Sequence, residues 1–243
     1  CRKHHFSRKS TAEMMEPTSA LSLIFSGDPA LMGVVRLSLV VSVTATLLAG
    51  VIGFALGALV ALTRFPGRSA LVVALNAMMG LPPVVVGLLV YLLLSRSGPL
   101  GSFGILFTPQ AMIIAQTLLI APIIAALSRQ VIEDLWRDYR DEFTAMGVSA
   151  SRRVRALLWD ARFSLVTILL AGFGRAAAEV GAVMIVGGNI DGFTRVMTTA
   201  IALETSKGNL PFAISLGLVL IAIIFSVNLI AWALREWAER HAG

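Results

Sequence analysis

The chain is poor in the residues that carry most covalent and metal chemistry. It has one cysteine, Cys1, and three histidines, His4, His5 and His241, all near the ends. A single cysteine excludes an internal disulfide framework and a Cys-rich metal site. No His/carboxylate cluster with ligand spacing is present to hold zinc or iron, so no metal site is expected. No G-x-x-x-x-G-K-[ST] phosphate loop occurs, so the chain carries no nucleotide-hydrolysing motif of its own. Charge is scarce too. Asp, Glu, Lys and Arg make up 14% of 243 residues, against about a quarter in globular domains. What fills the sequence is apolar: 57% of residues, with a mean hydropathy of +0.84. One soluble core cannot hide that much apolar surface, so a bilayer is the expected solvent. The net charge of +6 then reads as basic loops at a membrane face, not as a nucleic-acid surface.

Five apolar segments have the length of a membrane-crossing helix: 34–62, 70–94, 110–127, 163–186 and 212–234. Each supplies about 20 apolar residues, enough for roughly 30 Å of hydrocarbon. The expected fold is an all-α, polytopic membrane protein with about five transmembrane helices. A shorter stretch, 19–25, suits an interfacial helix. The connections 63–69, 128–162 and 235–243 hold eleven Lys and Arg, and 95–109 and 187–211 hold three. Positive loops stay inside. This predicts an N-terminus outside, a cytoplasmic C-terminus, and 128–162 as the longest cytoplasmic loop. The basic residues of 2–9 run against that orientation. Residues 1–17 are therefore set apart as an N-terminal extension or non-native segment, with 18–243 as the transmembrane domain.

The long loop contains RDEFTAMGVSASRRVRALLWDAR, residues 140–162. Tyr139, Phe143 and Met146 form one apolar stripe at helical spacing. Gly147 can take the left-handed conformation that ends a helix. Ser149 or Ser151 can cap the next one. In that second helix Val154, Leu157, Leu158 and Ala161 share a face, and Arg152, Arg155, Trp159 and Arg162 share the other. Two readings fit this pattern: a basic interfacial helix on anionic headgroups, or a helix–glycine–helix knob presented to a partner's groove.

The segment Asp141, Glu142, Phe143, Thr144, Ala145, Met146, Gly147 resembles the "EAA" loop of permease subunits in bacterial and archaeal ABC importers. Glu142 and Phe143 stand where that family has alanines, and Asp160 stands where it has a proline. Three further stretches are similar to oxyanion-importer permeases, closest to the tungstate branch. They are GLPPVVVG at 80–87, GFGRAAAEVGA at 172–182 leading to Gly187, Gly188, Asn189 and Ile190, and TTAIALE at 198–204. The resemblance covers about residues 20–240. It implies a type I ABC importer permease fold in the prokaryotic inner membrane, a homodimer, two cytoplasmic ABC ATPase subunits that carry ATP and Mg, and an extracytoplasmic oxyanion-binding protein. It implies tungstate as cargo, with molybdate, sulfate or another anion as alternatives, and no cofactor on this chain. It assigns ATPase coupling to Asp141, Glu142, Phe143, Ala145, Met146, Gly147 and Val148. A passive channel and a membrane-embedded enzyme are the rival classes. The enzyme reading lacks a nucleophile–base pair or metal cluster, and no catalytic residue is assigned.

Inside the predicted spans, Arg175 and Glu179 stand at i, i+4 and can pair on one helix face. They read as a structural ion pair, or as a position on the translocation pathway where a basic group meets an oxyanion. Pro82 and Pro83 interrupt the second span, as broken helices that line transport routes do. With Gly181 they complete the candidate pathway or gate. Gly187, Gly188 and Asn189 can converge backbone N–H groups on an anion, or form a plain turn. They are the candidate outer anion or binding-protein contact. Gly50, Gly53 and Gly57 give the first span a small-residue, close-packing face. Asp28, Asp191, Glu204 and Lys207 are expected to be solvated outer charges.

Overall fold

The structure, a computed structural model, describes residues 17–241. Among these every regular element is helical. In chain order they are α1 (Pro17–Phe25), α2 (Pro29–Leu62), α3 (Arg68–Met78), α4 (Pro83–Leu94), a 3-10 turn (Gly101–Phe103), α5 (Pro109–Ala145), α6 (Ala150–Asp160), α7 (Arg162–Ala177), α8 (Gly181–Gly187), α9 (Met197–Lys207) and α10 (Leu210–His241). Of the segment set apart at 1–17, only Pro17 lies among the described residues, and it opens α1.

Helices α2, α5 and the 25 residues Leu210–Leu234 of α10 are each long and apolar enough to cross a membrane, and the number is up to five where each of two bent helix pairs counts as one span. The all-α, polytopic expectation holds, but the spans are not all straight. The expected second span is two helices, α3 and α4, whose axes differ by 104°. Proline explains the break. Pro83 has no N–H to donate, and each proline drives the residue before it away from the helical region. The freed groups find partners nearby: the N–H of Leu81 reaches the Met78 carbonyl at 3.2 Å, and Pro82 O accepts from Val85 N at 3.0 Å. The expected fourth span is also divided, with α7 ending at Ala177 and α8 starting at Gly181. The expected third span does not stop at Leu127. It continues through Pro122 and on to Ala145 as one 37-residue helix, about 55 Å long. The first part of the predicted cytoplasmic loop is therefore the end of α5.

Helices α2 and α5 form the centre. Their contact is close because α2 offers glycines to it. A Cβ at Gly53 would lie 2.9 Å from the Ala121 carbonyl, and one at Gly57 2.8 Å from the Ala125 carbonyl. Ser128 Oγ donates to the Gly53 carbonyl across the gap at 3.4 Å. Lipid tails are as apolar as leucine, so tight packing of this kind, more than removal of water, holds membrane helices together. Helix α7 lies against the pair, with Gly172 beside Ile120 and Ile124. Val41, Ala49, Val86, Ile120, Ile124 and Val183 belong to one buried cluster. A smaller cluster of Leu31, Met197 and Leu216 joins α2, α9 and α10, with Leu23 and Ile24 of α1 packed on it. Outside these, Val51, Val73, Ile221 and Phe225 are exposed, as befits a surface facing hydrocarbon.

Candidate functional site

Two constructions gather the candidate residues: an elbow at the end of α5, and paired helix breaks between α4 and α8.

The elbow begins where α5 runs out beyond its apolar stretch. Gly147 adopts φ +61. Its N–H donates to Thr144 O at 3.2 Å, and the Val148 N–H donates to Phe143 O at 3.1 Å. These two bonds are the Schellman pattern, which satisfies carbonyls that a helix end leaves open. Gly147 thus ends the helix as its sequence position predicts. Ser149 stands at the N-cap of α6, but its hydroxyl makes no capping bond. Arg153 braces the turn instead. Its Nε donates to the Val148 carbonyl at 2.7 Å, and its guanidinium lies 5.8 Å from the Trp136 ring centre. Trp136 in turn stacks on Phe143 at 6.3 Å, and Tyr139 meets Phe143 at 5.9 Å. The Asp160 carboxylate beside the Tyr139 hydroxyl, by hydrogen bonding and then by its negative charge, holds the phenol above its ordinary value of 10.0. Arg153 thereby fixes the start of α6 to the extension of α5, and Asp160 at its other end stands beside Tyr139.

What the elbow shows to its surroundings follows. Asp141, Glu142, Ala145, Met146 and Gly147 are exposed, and Phe143 and Val148 are half-buried. Met146, at 75% exposure, is an uncovered apolar tip. Of the predicted apolar face, Leu157 of α6 and Ala161 just after it are buried, and Val154 and Leu158 are half-buried. Arg152, Arg155 and Trp159 are exposed on the other side. Arg162 departs from that pattern. It is half-buried, set 4.7 Å from the Trp159 ring and 4.5 Å from that of Phe163, and donates to the Trp159 carbonyl at 2.6 Å.

The second construction centres on Glu179, which is 5% exposed in the short break between α7 and α8. Its Oε2 accepts from Arg175 at 2.8 Å. Its Oε1 accepts from the Ala182 N–H at 3.2 Å, near the start of α8. Its backbone carbonyl accepts from the Thr198 hydroxyl at 2.8 Å. The carboxylate is therefore paired and hydrogen-bonded, as a buried charge must be. Arg175 is different, with a side chain 41% exposed. Gln116 of α5, itself buried, donates to the Ala176 carbonyl at 3.0 Å, and its Oε1 has no partner. The proline break lies alongside. A Cβ at Gly181 would stand 2.8 Å from Val84 Cγ2, and one at Gly87 2.7 Å from the Ala182 Cα. The fold thus brings Pro82, Pro83, Gly181, Glu179 and Arg175 into one region.

Gly187 ends α8, and Gly188 and Asn189 form the turn beyond it, both with positive φ. Thr194 ties the turn together. Its hydroxyl donates to Gly187 O at 2.6 Å and accepts from the Ile190 N–H at 2.9 Å. The Gly188 N–H is used by Met184 O at 3.1 Å. All four of the expected outer charges have partners, with Asp191 paired to Arg195 at 2.8 Å and Lys207 to Glu204 at 2.9 Å. Asp28 caps α2 by accepting from Ala30 and Leu31 at 3.0 and 2.9 Å. Glu204 is buried and accepts from Lys207 and Asn209, each at 2.9 Å. The Lys207 bond, with Asn209 adding to it, holds the Glu204 carboxyl below its ordinary value. Gln116, Thr194, Trp136 and Arg153 are not singled out in the sequence, and Thr198 is named there only within TTAIALE. Only Gln116 carried a signal, as an amide within an apolar run.

Comparison with known proteins agrees with this architecture. Residues 50–241 match the family described as "Binding-protein-dependent transport system inner membrane component". The chain is 41% identical over 211 residues to a probable anion ABC transporter permease protein of Haloferax volcanii, covering 85% of this chain and 91% of that one. It is 38% identical over 218 residues to the tungstate uptake system permease protein TupB of Peptoclostridium acidaminophilum, covering 90% and 96%. The TupB of Campylobacter jejuni is 38% identical over 217 residues, covering 89% and 91%. With the family matched over most of the length, on an all-α membrane scaffold, the chain belongs to the inner membrane components of binding-protein-dependent transport systems.

Proposed function

We propose that this chain is the membrane permease of an ATP-driven ABC importer, and that its cargo is an oxyanion, tungstate. It is a transport subunit and not an enzyme. ATP and Mg belong to separate ATPase subunits, which engage the elbow through Met146, Gly147 and the exposed acids Asp141 and Glu142. An extracytoplasmic binding protein delivers the anion. In this reading the C-terminus and elbow are cytoplasmic and the N-terminus is outside.

The observation that carries the coupling role is the elbow itself: α5 runs from the buried centre to the tip without a break. A rigid helix of about 55 Å transmits a push at its tip to the packing around Gly53 and Gly57. The relatives named for tungstate uptake support the cargo. A homodimer is supported by Arg175, whose half-open guanidinium at membrane depth needs a wet or protein-lined surrounding. A second copy supplies that enclosure.

The test is co-purification with the ATPase in mild detergent, then ATPase assay of the reconstituted complex with binding protein loaded with tungstate, molybdate or sulfate. Stimulation by the tungstate-loaded form is expected. Stimulation by sulfate alone would overturn the cargo, and a chain that purifies free of any ATPase would overturn the importer.

A further inference from the structure

A pocket of about 330 Å³ lies where α2 ends, α3 begins and α5 passes between them, and the importer reading leaves it unused. Its walls include Arg64, Arg68, Arg137, Arg140, Glu133 and Trp136. Glu133 is the one acid among them, and it is already occupied, accepting from both Arg68 and Arg129. Arg68 is held further by its Nε bond to the Val60 carbonyl at 2.8 Å. Arg137 has a partner of its own, Asp134, at 3.4 Å. Arg64 and Arg140 are exposed and have no carboxylate partner among the described residues. Two unpaired guanidinium groups, one from the loop after α2 and one from α5, therefore face one polar pocket.

We infer that this pocket binds the phosphate headgroup of an anionic phospholipid. Guanidinium forks match phosphate oxygens two at a time. Basic pockets between transmembrane helices are where anionic headgroups bind. The height is right as well. Arg64 follows the last residue of α2, Leu62, by two positions, where the apolar run stops. Trp136, a residue type favoured at the membrane–water boundary, lies eleven positions before Gly147 along α5, about 16 Å above the elbow tip. A soluble partner gripping the tip leaves this level to the lipid.

The pocket also touches the brace of the elbow. Trp136 lines it, stacks on Phe143 and carries the Arg153 guanidinium over its ring. A bound headgroup restricts Trp136 and so stiffens the elbow. This second step rests on the coupling role proposed above, and the binding step does not.

Native mass spectrometry of the full chain tests the binding step. The purified permease is titrated with phosphatidylglycerol, with phosphatidylcholine, or with phosphatidylglycerol in the presence of millimolar inorganic phosphate. Retention of phosphatidylglycerol at least tenfold above phosphatidylcholine is expected, unaffected by phosphate. An Arg64→Gln/Arg140→Gln double variant is expected to lose most of that preference, and Arg96→Gln, an exposed arginine outside the pocket, to keep it. Equal retention of the two lipids by the unaltered chain, or an unchanged preference in the double variant, overturns the site. Displacement by inorganic phosphate makes it a small-anion site and overturns the lipid. These comparisons need no ATPase, so failure of the importer reading leaves them standing. The second step is read in nanodiscs, where phosphatidylglycerol is expected to raise stimulated ATPase activity several-fold in the unaltered complex. A rise of the same size in the double variant overturns that step.

Discussion

Replacing Gly147 isolates a backbone effect from packing. The residue sits at φ +61, and a Cβ built there meets nothing within 4 Å. No clash offsets or adds to the substitution. The cost is that of forcing an L-residue into the left-handed region, roughly 1–2 kcal/mol for alanine. Asparagine visits that region more readily, and a β-branched valine least of all. If the backbone instead relaxes, the bonds from Gly147 N–H to Thr144 O and from Val148 N–H to Phe143 O are lost. The acceptor for Arg153, the Val148 carbonyl, moves with them. A penalty of 1–2 kcal/mol corresponds to about a five- to thirtyfold smaller population of correctly shaped elbows. The assay is stimulated ATPase activity of the reconstituted importer, alongside thermal unfolding of the permease in detergent. Stimulation is expected to fall in the order wild type, Gly147→Asn, Gly147→Ala, Gly147→Val, with little change in unfolding of the membrane helices. Full coupling in Gly147→Val, with the variant assembled, would refute the argument that elbow shape transmits the signal.

The glycine face of α2 yields a contrasting pair. Gly57→Ala puts a methyl 2.8 Å from the Ala125 carbonyl and 3.0 Å from the Arg129 nitrogen, backbone atoms that no rotamer change moves aside. A loss of about 1–3 kcal/mol is expected, whereas Gly33→Ala, on the same helix with open space around it, is expected to be neutral or to gain up to about 1 kcal/mol. Equal detergent stability of the two variants would contradict the packing account. Glu179→Ala removes the acceptor of both Arg175 and the Ala182 N–H, at about 1–3 kcal/mol, less than a fully buried pair because Arg175 is partly open. Glu179→Gln keeps an acceptor and is expected to recover part of that in thermal unfolding; transport lost at normal stability assigns the pair to the pathway instead. At the α9–α10 turn the Glu204 carboxyl is held below its ordinary value by Lys207 and Asn209. Its contribution is present at neutral pH and above the ordinary carboxylate range, and is lost as pH falls through the lowered value. Hydrogen-exchange protection at Gly208 and Asn209, taken relative to the intrinsic exchange rate at each pH, is expected to fall with acid in the wild type and to stay flat in Glu204→Gln.

The legible parts of the site were those written in local backbone chemistry. The end of α5 at Gly147 needed only a glycine at the close of an apolar stripe. The break at Pro82 and Pro83 needed only the missing N–H. The glycine face of α2 was visible as spacing, although its partner, the Ala121–Ser128 side of α5, was not. Arg162 was misplaced because a helical wheel assigns it to the polar side, while aromatic neighbours on both sides pin it in place. Glu204 looked solvated because Asn209 reaches it only when the chain turns back at Gly208, although Lys207 stands at i+3 on the same helix.

Composition and periodicity by themselves determined the solvent, the helical class and the approximate places where the chain crosses. Hydrocarbon leaves the backbone no partner but itself, so long apolar runs must be helices. Tertiary structure alone decided that the two helix breaks lie side by side, that Gln116 of α5 reaches the Ala176 carbonyl, and that Thr198 reaches the Glu179 carbonyl. These depend on which surfaces approach closely enough to exchange hydrogen bonds and van der Waals contact. That is a property of residues far apart in the chain, and no local pattern encodes it.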